Sequence, residues 1–250
     1  MGTTTIEEFK SLMRNPKNIR NICTSAHIHH GKCIAGDSRI ILTDGSIKTA
    51  KELYEQAETQ GKKFEEKEEH TIYDLSEQNI TLFSLNKETG KLEKKKIGLA
   101  WKLIGGKVIK IKLRNGFEII TTPEHKYIAF ENGEFVDKEA KDIATEDQIA
   151  CAKDVSFFWK ERKSNPEQYM LSEIEIQQIG NQQKTISRQN IREDIIGIKV
   201  EKISESYEDT VYDFTIPDNH NFVAEGMVIH NTALTDNLLA AAGLMSEQAA

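Results

Sequence analysis

Closely spaced hairpin turns are the feature of this sequence that most limits its fold. Asn-Gly or Asp-Gly lies between apolar runs in LTDGSIK, RNGFEII and FENGEFV, and LNKETGKLE contains a longer turn with glycine. Such dipeptides favour tight hairpins because the central residues of these turns need positive φ. Residues 107–113 (KVIKIKL) alternate apolar and polar side chains, and IGIKVEKI, TVYDFTI and NFVAEGMVI supply further strands. The sequence therefore predicts an all-β fold built from hairpins.

A few segments depart from this β pattern. Residues 49–60 (TAKELYEQAETQ) predict a short helix capped by Thr49, with Glu52 three residues later. Helical spacing also occurs in residues 3–13 and 236–244. Residues 61–70 (GKKFEEKEEH) predict a charged, solvated loop. Residues 154–193 read as a polar insertion, in which QYMLSEIEIQQI is compatible with a helix.

The composition narrows the classes of function. The 250 residues are 38% hydrophobic and 29% charged, which is enough to build a packed core, and the net charge of −7 offers no broad surface for nucleic acid. No apolar run approaches the roughly 18 residues of a spanning helix, and the N-terminus has no signal-peptide pattern. Three cysteines in a chain of this length favour free thiols. We therefore expect a cytoplasmic protein without a membrane partner.

The stretch AHIHHGKCIAG at residues 26–36 reads as an interrupted phosphate-binding loop. Gly31 and Lys32 are typical of such loops, but Cys33 stands where a hydroxyl should hold Mg²⁺. Joining Lys32 to Thr232 restores the hydroxyl and places the helix-forming DNLLAAAGL after it. The joined ends resemble the archaeal translation elongation factor 2 family, GTPases whose motif reads AHIDHGKTT. The joined text departs from that motif at His29 and Ala233.

The stretch between these ends, residues 33–231, resembles an intein, a protein insert that excises itself. The resemblance rests on CIAGDSRIILTDG, LFSLNKETGKLEKKKIGLAWK, NGFEIITTPEHKYIAF, AKDIATEDQIACAK and VYDFTIPDNHNFVAEGMVIHNT. It implies the horseshoe-like Hint fold, with pseudo-twofold halves and both junctions near the centre. It also implies an N-extein (residues 1–32), a splicing domain (33–231) and a C-extein (232–250). Residues 154–193 are too few for a homing endonuclease, so we expect a mini-intein without nuclease activity.

The resemblance assigns the first cleavage to four residues around Lys32. The Cys33 sulfur, a good nucleophile as a thiolate near neutral pH, would attack the Lys32 carbonyl. Thr122 and His125 lie in TTPEH, where the proline prevents an ordinary helix, so we place them on a loop. Thr122 would hydrogen-bond the departing peptide, and His125 would protonate its nitrogen. Asp213 would position or deprotonate the thiol.

Four further residues would complete splicing. The Thr232 hydroxyl would take over the N-terminal segment, and the Asn231 side chain would cyclise to release the excised segment. His230 would polarise the Asn231 carbonyl, and His220 would act as acid or base in the same step. The final rearrangement to the Lys32–Thr232 amide needs no catalyst.

Cofactors and partners follow from the same resemblance. Splicing is intramolecular and needs no cofactor or partner, and we expect a monomer. The spliced host would bind GTP and Mg²⁺ through the loop that contains Gly31, Lys32 and Thr232, and it would act with the ribosome. Several histidines near Cys33 suggest a metal cluster, but the spacing of His27, His29, His30 and Cys33 matches no common zinc motif.

Three alternatives compete with this interpretation. A GTPase domain would need a helix directly after Lys32 and parallel strands that alternate with helices. A Hedgehog-like autoprocessing domain shares the fold and the cysteine, but it does not end in His-Asn-Thr. An inactive intein serving as a plain β module is disfavoured because every residue needed for splicing is present.

Overall fold

The computed structural model describes residues 32–153 and 194–231, which form fifteen β-strands and one α-helix. The strands are β1 (Ile34–Ala35), β2 (Arg39–Ile41), β3 (Ile47–Thr49), β4 (Lys62–Glu66), β5 (His70–Asp74), β6 (Thr81–Asn86), β7 (Lys91–Lys96), β8 (Leu99–Leu113), β9 (Glu118–Thr121), β10 (Lys126–Glu131), β11 (Glu134–Glu139), β12 (Gln148–Ala152), β13 (Ile195–Thr215), β14 (Asn221–Ala224) and β15 (Met227–His230). The helix, α1, spans Ala50–Gln60, and short 3-10 turns occur at Ser76–Gln78 and Ala140–Asp142. The sequence prediction of a mostly β fold is confirmed.

Thirteen of these strands form one continuous sheet. Its order is β3-β2-β14-β15-β10-β12-β13-β1-β9-β8-β5-β4, with β11 paired to β10, while β6 and β7 form a separate hairpin. The longest strand, β13, has 21 residues and pairs with β8 along most of its length. Every strand pair within the described residues is antiparallel. This excludes the GTPase alternative for the described part of the chain, because that fold needs parallel strands.

The predicted hairpin turns are confirmed. Asn132 and Gly133, between β10 and β11, have φ of 51° and 86°, as a two-residue turn of this kind requires. Gly116, with φ of 82°, turns β8 into β9. The segment NFVAEGMVI also forms a hairpin, β14–β15, whose turn residues Glu225 and Gly226 have φ of 49° and 80°.

Helix α1 forms where the sequence predicts it. The Glu52 backbone N–H donates to Thr49 Oγ1 at 3.1 Å, and the Thr49 N–H donates to the Glu52 carboxylate at 2.8 Å. This reciprocal pair satisfies backbone donors that the first turn of a helix leaves free. The helix buries one apolar face against the sheet, formed by Ala50, Leu53, Tyr54 and Ala57.

The prediction of a charged loop at residues 61–70 was wrong. Residues 62–66 form β4, which pairs with β5 at the edge of the sheet. An edge strand tolerates charged residues because it has one free side, and the charges discourage pairing with other chains. The composition that suggested a loop is therefore equally compatible with an edge strand. His70 begins β5 and is buried, with its ring 6.2 Å from that of Trp101.

Buried apolar side chains form three clusters in the described residues. Cys33 belongs to the cluster around Trp101, whereas Cys151 is buried in the largest cluster. Within residues 32–153 and 194–231, no helix is long and apolar enough to span a membrane. The helices predicted at 3–13 and 236–244 and the insertion at 154–193 lie outside the described residues.

Candidate active site

Cys33 lies directly before β1, which is inserted between β9 and β13. The registers of β1 with these two strands, continued by one residue, place Cys33 opposite Thr122 and Asp213. The Cys33 N–H donates to Thr122 Oγ1 at 3.0 Å, and the Thr122 N–H donates to the Cys33 carbonyl at 3.0 Å. The Thr122 hydroxyl therefore holds the nitrogen of the Lys32–Cys33 peptide bond.

The Cys33 side chain is 1% exposed and packs among apolar residues that include Ile72 and Trp101. This burial raises the pKa of the Cys33 thiol well above its usual range, and the negative charge of Asp213 raises it further. The thiol is consequently protonated at neutral pH and must lose its proton before it can act as a nucleophile, which agrees with the expected role of Asp213 in deprotonating it. Asp213 is itself fully buried and faces the thiol from β13, so it is not an exposed strand residue.

His125 closes the turn that begins at Thr122. Its backbone N–H donates to the Thr122 carbonyl at 3.0 Å. Its imidazole is completely buried, with the Tyr127 ring edge-on at 5.6 Å between centroids. Tyr127 is held in turn by a 2.9 Å hydrogen bond between its hydroxyl and Thr121 Oγ1. Tyr127 was not among the predicted site residues, although it lies only two positions after His125.

Burial also determines the charge of His125. Desolvation, followed by electrostatic repulsion between a protonated His125 ring and His230, lowers the pKa of His125 to about 3. The peptide groups of Lys32 and Cys33 lie close enough to oppose this shift. However, neither ring nitrogen has a hydrogen bond of ordinary geometry among the described residues. His125 is therefore a neutral imidazole at pH 7, able to donate its single N–H to a neighbouring group.

Asn231 lies at the other end of the domain, between two histidines. The register of β14 with β15, continued by one residue, places His220 opposite Asn231, and the Asn231 N–H donates to the His220 carbonyl at 3.1 Å. The register of β10 with β15, continued by two residues, places His125 opposite Asn231 on the other side. Asn231 is 1% exposed. The turn from Thr122 to His125 thus lies beside both ends of the domain.

His230 has a partner that the sequence did not predict. Its Nε2 lies 2.8 Å from Asp137 Oδ1 on β11, and the same oxygen lies 2.6 Å from Lys87 Nζ. The hydrogen bond from His230, followed by the contact with Lys87, holds the pKa of Asp137 well below its usual range. No sequence motif indicates Asp137 or Lys87, because the three residues come from three different hairpins.

Two polar contacts, one part-buried and one buried, hold the β14–β15 hairpin, which lies between His220 and Asn231. Glu225, in its turn, accepts hydrogen bonds from Arg39 Nε at 3.0 Å and from the Arg39 backbone N–H at 2.8 Å. Asn221 accepts from the Leu85 N–H at 2.7 Å and donates to the Leu85 carbonyl at 2.9 Å. These contacts fix the hairpin against β2 and β6. His220, just before β14, has a left-handed φ of 52°.

The structure therefore brings the predicted residues together beside neighbouring strands of one sheet. Those beside β1, β9 and β13 are Cys33, Thr122 and Asp213, and those beside β10, β14 and β15 are His125, His220, His230 and Asn231. Lys32 is the first described residue of the chain. Gly31 and Thr232 lie outside the described residues, so their assignment stays a prediction.

Comparison with known proteins agrees with this arrangement. The intein splicing domain family matches residues 40–231, so the match ends at Asn231. A Hedgehog-like domain, which does not end in His-Asn, fits this boundary less well. The crystal structure of the PabCDC21-1 intein superposes with a TM-score of 0.60 at 22% identity, covering 80% of this chain and 99% of that chain. The TvoVMA intein gives a TM-score of 0.61 at 19% identity, covering 80% and 98%. At these identities both show the Hint fold alone.

Sequence relatives include translation factors. Elongation factor 2 of Methanopyrus kandleri is 37% identical over 146 residues, which are 58% of this chain and 12% of that protein. A probable translation initiation factor IF-2 of Methanocaldococcus jannaschii is 34% identical over 108 residues, 43% of this chain and 9% of that protein. The chain thus spans about a tenth of the length of these relatives. Because the family match covers most of the chain, the chain belongs to the intein splicing domain family, and its activity is autocatalytic protein splicing.

Proposed function

We propose that residues 33–231 excise themselves and that Lys32 is ligated to Thr232. One observation carries the proposal: both ends of the domain converge on the turn from Thr122 to His125. Thr122 Oγ1 accepts the N–H of Cys33 at 3.0 Å, and the β10–β15 register places His125 opposite Asn231. A turn beside both scissile peptide groups can couple the two cleavages, whereas a plain β module has no need of such an arrangement.

In the first step, the Cys33 sulfur bonds to the Lys32 carbonyl carbon and the Lys32–Cys33 C–N bond breaks. Because burial keeps the thiol protonated, a base must take its proton, and the Asp213 carboxylate faces it across the sheet. The departing nitrogen gains a proton, which the neutral His125 ring can donate. The hydrogen bond from this nitrogen to Thr122 holds the peptide in place while the bond breaks. The products are a thioester and a free amine on Cys33.

The later steps transfer the N-terminal segment and release the domain. The Thr232 oxygen bonds to the thioester carbon, its proton passes to a base, and the Cys33 sulfur leaves with a proton. The Asn231 side-chain nitrogen then bonds to the Asn231 carbonyl carbon, which forms a succinimide and breaks the bond to Thr232. The Thr232 nitrogen leaves with a proton, and His220 and His230 lie next to Asn231, where this bond breaks. The ester finally rearranges to the Lys32–Thr232 amide.

Mass spectrometry of the expressed 250-residue chain tests the proposal. Splicing predicts one species of residues 33–231 and a second in which residues 1–32 are joined to 232–250. Cys33→Ala should abolish both products, and Asn231→Ala should stop excision while still allowing thiol-induced cleavage after Lys32. Cys151→Ala is the matched control, because Cys151 is an equally buried thiol in a different cluster and should not affect product formation. Persistence of intact wild-type chain would refute the proposal.

The individual roles separate in the same assay. Asp213→Asn should slow thioester formation, since the buried thiol then has no carboxylate opposite it. Thr122→Ala should slow the same step by loosening the peptide nitrogen that it holds. His220→Ala should instead slow release at Asn231 and leave thiol-induced cleavage after Lys32 intact. An equal effect of all three variants on both cleavages would contradict these assignments.

We also propose that the host is an elongation factor 2. Support comes from the relative in Methanopyrus kandleri and from the phosphate-loop sequence that the joined ends restore. In the spliced host, Gly31 and Lys32 would contact GTP phosphates and Thr232 would hold Mg²⁺, for action with the ribosome in the cytoplasm. Splicing itself would use neither ligand.

Fluorescent GTP analogues test this assignment on the complete precursor. The spliced host should bind the analogue in the presence of Mg²⁺. The Cys33→Ala, Asn231→Ala precursor should not bind it, because residue 33 occupies the position of the magnesium-binding hydroxyl. Equal binding by the two proteins would refute the link between splicing and nucleotide binding.

A further inference from the structure

Asp137 is a second acidic side chain near the splice junctions, because it contacts His230 next to Asn231, and splicing as proposed assigns it no role. It lies on β11, with Oδ1 2.8 Å from His230 Nε2 and 2.6 Å from Lys87 Nζ. The His230 side chain is 12% exposed, compared with 38% for Asp137. The contact therefore joins a half-exposed carboxylate, that of Asp137, to the largely buried ring of His230 beside Asn231.

Three separate elements build this contact. β10 pairs with both β11 and β15, so that Asp137 and His230 lie on strands either side of β10 and their side chains meet over it. Lys87 comes from the turn between β6 and β7, which packs over the same face through Leu85. Ninety-three residues separate Asp137 from His230, so the tertiary fold alone creates the pair.

The chemistry of the three groups determines which ring nitrogen carries hydrogen. Lys87 and the His230 hydrogen bond keep Asp137 ionised, and an ionised carboxylate can only accept hydrogen bonds. His230 Nε2 must therefore carry a hydrogen and donate it to Asp137 Oδ1. Lys87 Nζ lies 3.4 Å from Nε2, but both groups are then donors, so the two share the carboxylate oxygen and do not bond each other.

We propose that Asp137 is a positioning residue for His230 in the release of Asn231, an inference that rests on the splicing function proposed above. By accepting the Nε2 hydrogen, Asp137 fixes the orientation of the ring and leaves Nδ1 as the nitrogen that serves the Asn231–Thr232 peptide group. A ring without this partner has both nitrogens free and more than one orientation, so fewer molecules hold Nδ1 ready for the reaction.

A merely structural role is the competing explanation. Ion pairs at the surface contribute little to stability, so loss of the Lys87–Asp137 contact should leave the fold intact. The two cleavages provide the distinction, because Thr122 and Asp213 serve the bond before Cys33, whereas His230 adjoins the bond after Asn231. A positioning residue affects only the second cleavage, whereas a general loss of folding affects both.

The experiment measures both cleavages in Asp137→Ala precursors. In a Cys33→Ala background, release after Asn231 should slow by about tenfold to a hundredfold, the scale of a misplaced acid–base group. In an Asn231→Ala background, thiol-induced cleavage after Lys32 should keep its rate. Asp142→Ala is the matched control, since Asp142 is an exposed carboxylate shortly after β11, and it should affect neither rate.

Nitrogen-15 NMR of His230 supplies a readout that a structural role would not move. With Asp137 present, Nε2 should show the chemical shift of a protonated ring nitrogen, whereas Asp137→Ala should give an averaged pair of tautomers. Asp137→Asn, which keeps an acceptor oxygen, should restore part of the release rate. Unchanged release in Asp137→Ala, or an equal loss in both cleavages, overturns the inference. If the unaltered chain fails to splice at all, the proposed function fails instead.

Discussion

Acid should destabilise the precursor through His125, by an amount that follows from its burial. An exposed histidine titrates near 6.5, whereas burial lowers the pKa of His125 to about 3. Between these values the unfolded chain binds a proton that the folded chain does not, so stability is full above pH 6.5 and is lost as pH falls toward 3. At 1.36 kcal/mol per pH unit below 6.5, His125 alone removes about 2.7 kcal/mol of unfolding free energy between neutral pH and pH 4.5.

Urea denaturation of the Cys33→Ala, Asn231→Ala precursor measures this loss without interference from splicing. His125→Asn replaces the ring by a neutral group, so the drop in unfolding free energy between pH 7 and 4.5 should shrink by about 2.7 kcal/mol. Carboxylates titrate in both proteins and cancel in the comparison. Thr122→Ala is the control, because it alters the same turn without removing a titrating group and should lower stability equally at both pH values. Identical pH dependence in the parent and His125→Asn would refute the reasoning.

Three further changes test the packing around the site. Burial raises the pKa of the Cys151 thiol, so in the unfolded chain this thiol loses its proton above about pH 8.5 while the folded chain still holds it. Cys151→Ala should therefore reduce the loss of unfolding free energy between pH 8 and 10, measured by urea denaturation. An unchanged pH dependence of the unfolding free energy would count against this. Gly226→Ala should lower the unfolding free energy by about 1–3 kcal/mol more than Gly116→Ala does. Both glycines have φ near 80°, so the backbone strain is matched, but an added Cβ at Gly226 would lie 2.7 Å from the Phe117 ring. Equal melting temperatures of the two variants would contradict this. Trp101→Phe removes a 2.8 Å indole hydrogen bond to a buried threonine hydroxyl and should cost about 1–3 kcal/mol, measured by denaturation; a neutral effect would show that the hydroxyl finds another partner.

Local patterns in the sequence predicted local structure well. Asn132 and Gly133 specify a turn because few other residues adopt positive φ without strain, and the hairpin follows from that turn. Thr49 and Glu52 specify the start of α1 because their side chains satisfy the free backbone donors of its first turn. The residues at both splice junctions, Cys33 and Asn231, are predicted from contiguous motifs at the ends of the domain, and the structure places both beside the turn from Thr122 to His125.

Properties that depend on contacts between residues far apart in the chain could not be predicted from the sequence. The raised pKa of the Cys33 thiol depends on burial among residues far along the chain and on Asp213 across the sheet. Asp137 is an ordinary acidic residue in a hairpin until β10 brings it beside His230. β4 was missed for a different reason: an edge strand and a solvated loop have the same charged composition, and only pairing with β5 distinguishes them.

The position of β1 also determines what the host can do before splicing. A phosphate-binding loop needs the backbone N–H groups at the start of a helix, immediately after its lysine. In the precursor the chain enters β1 two residues after Lys32 and is held there between β9 and β13. The amides that should face phosphate are therefore committed to a sheet, and no rotation of Lys32 can recover them. If the host is the proposed GTPase, nucleotide binding at this loop becomes conditional on excision, because only ligation to Thr232 lets a helix follow the lysine.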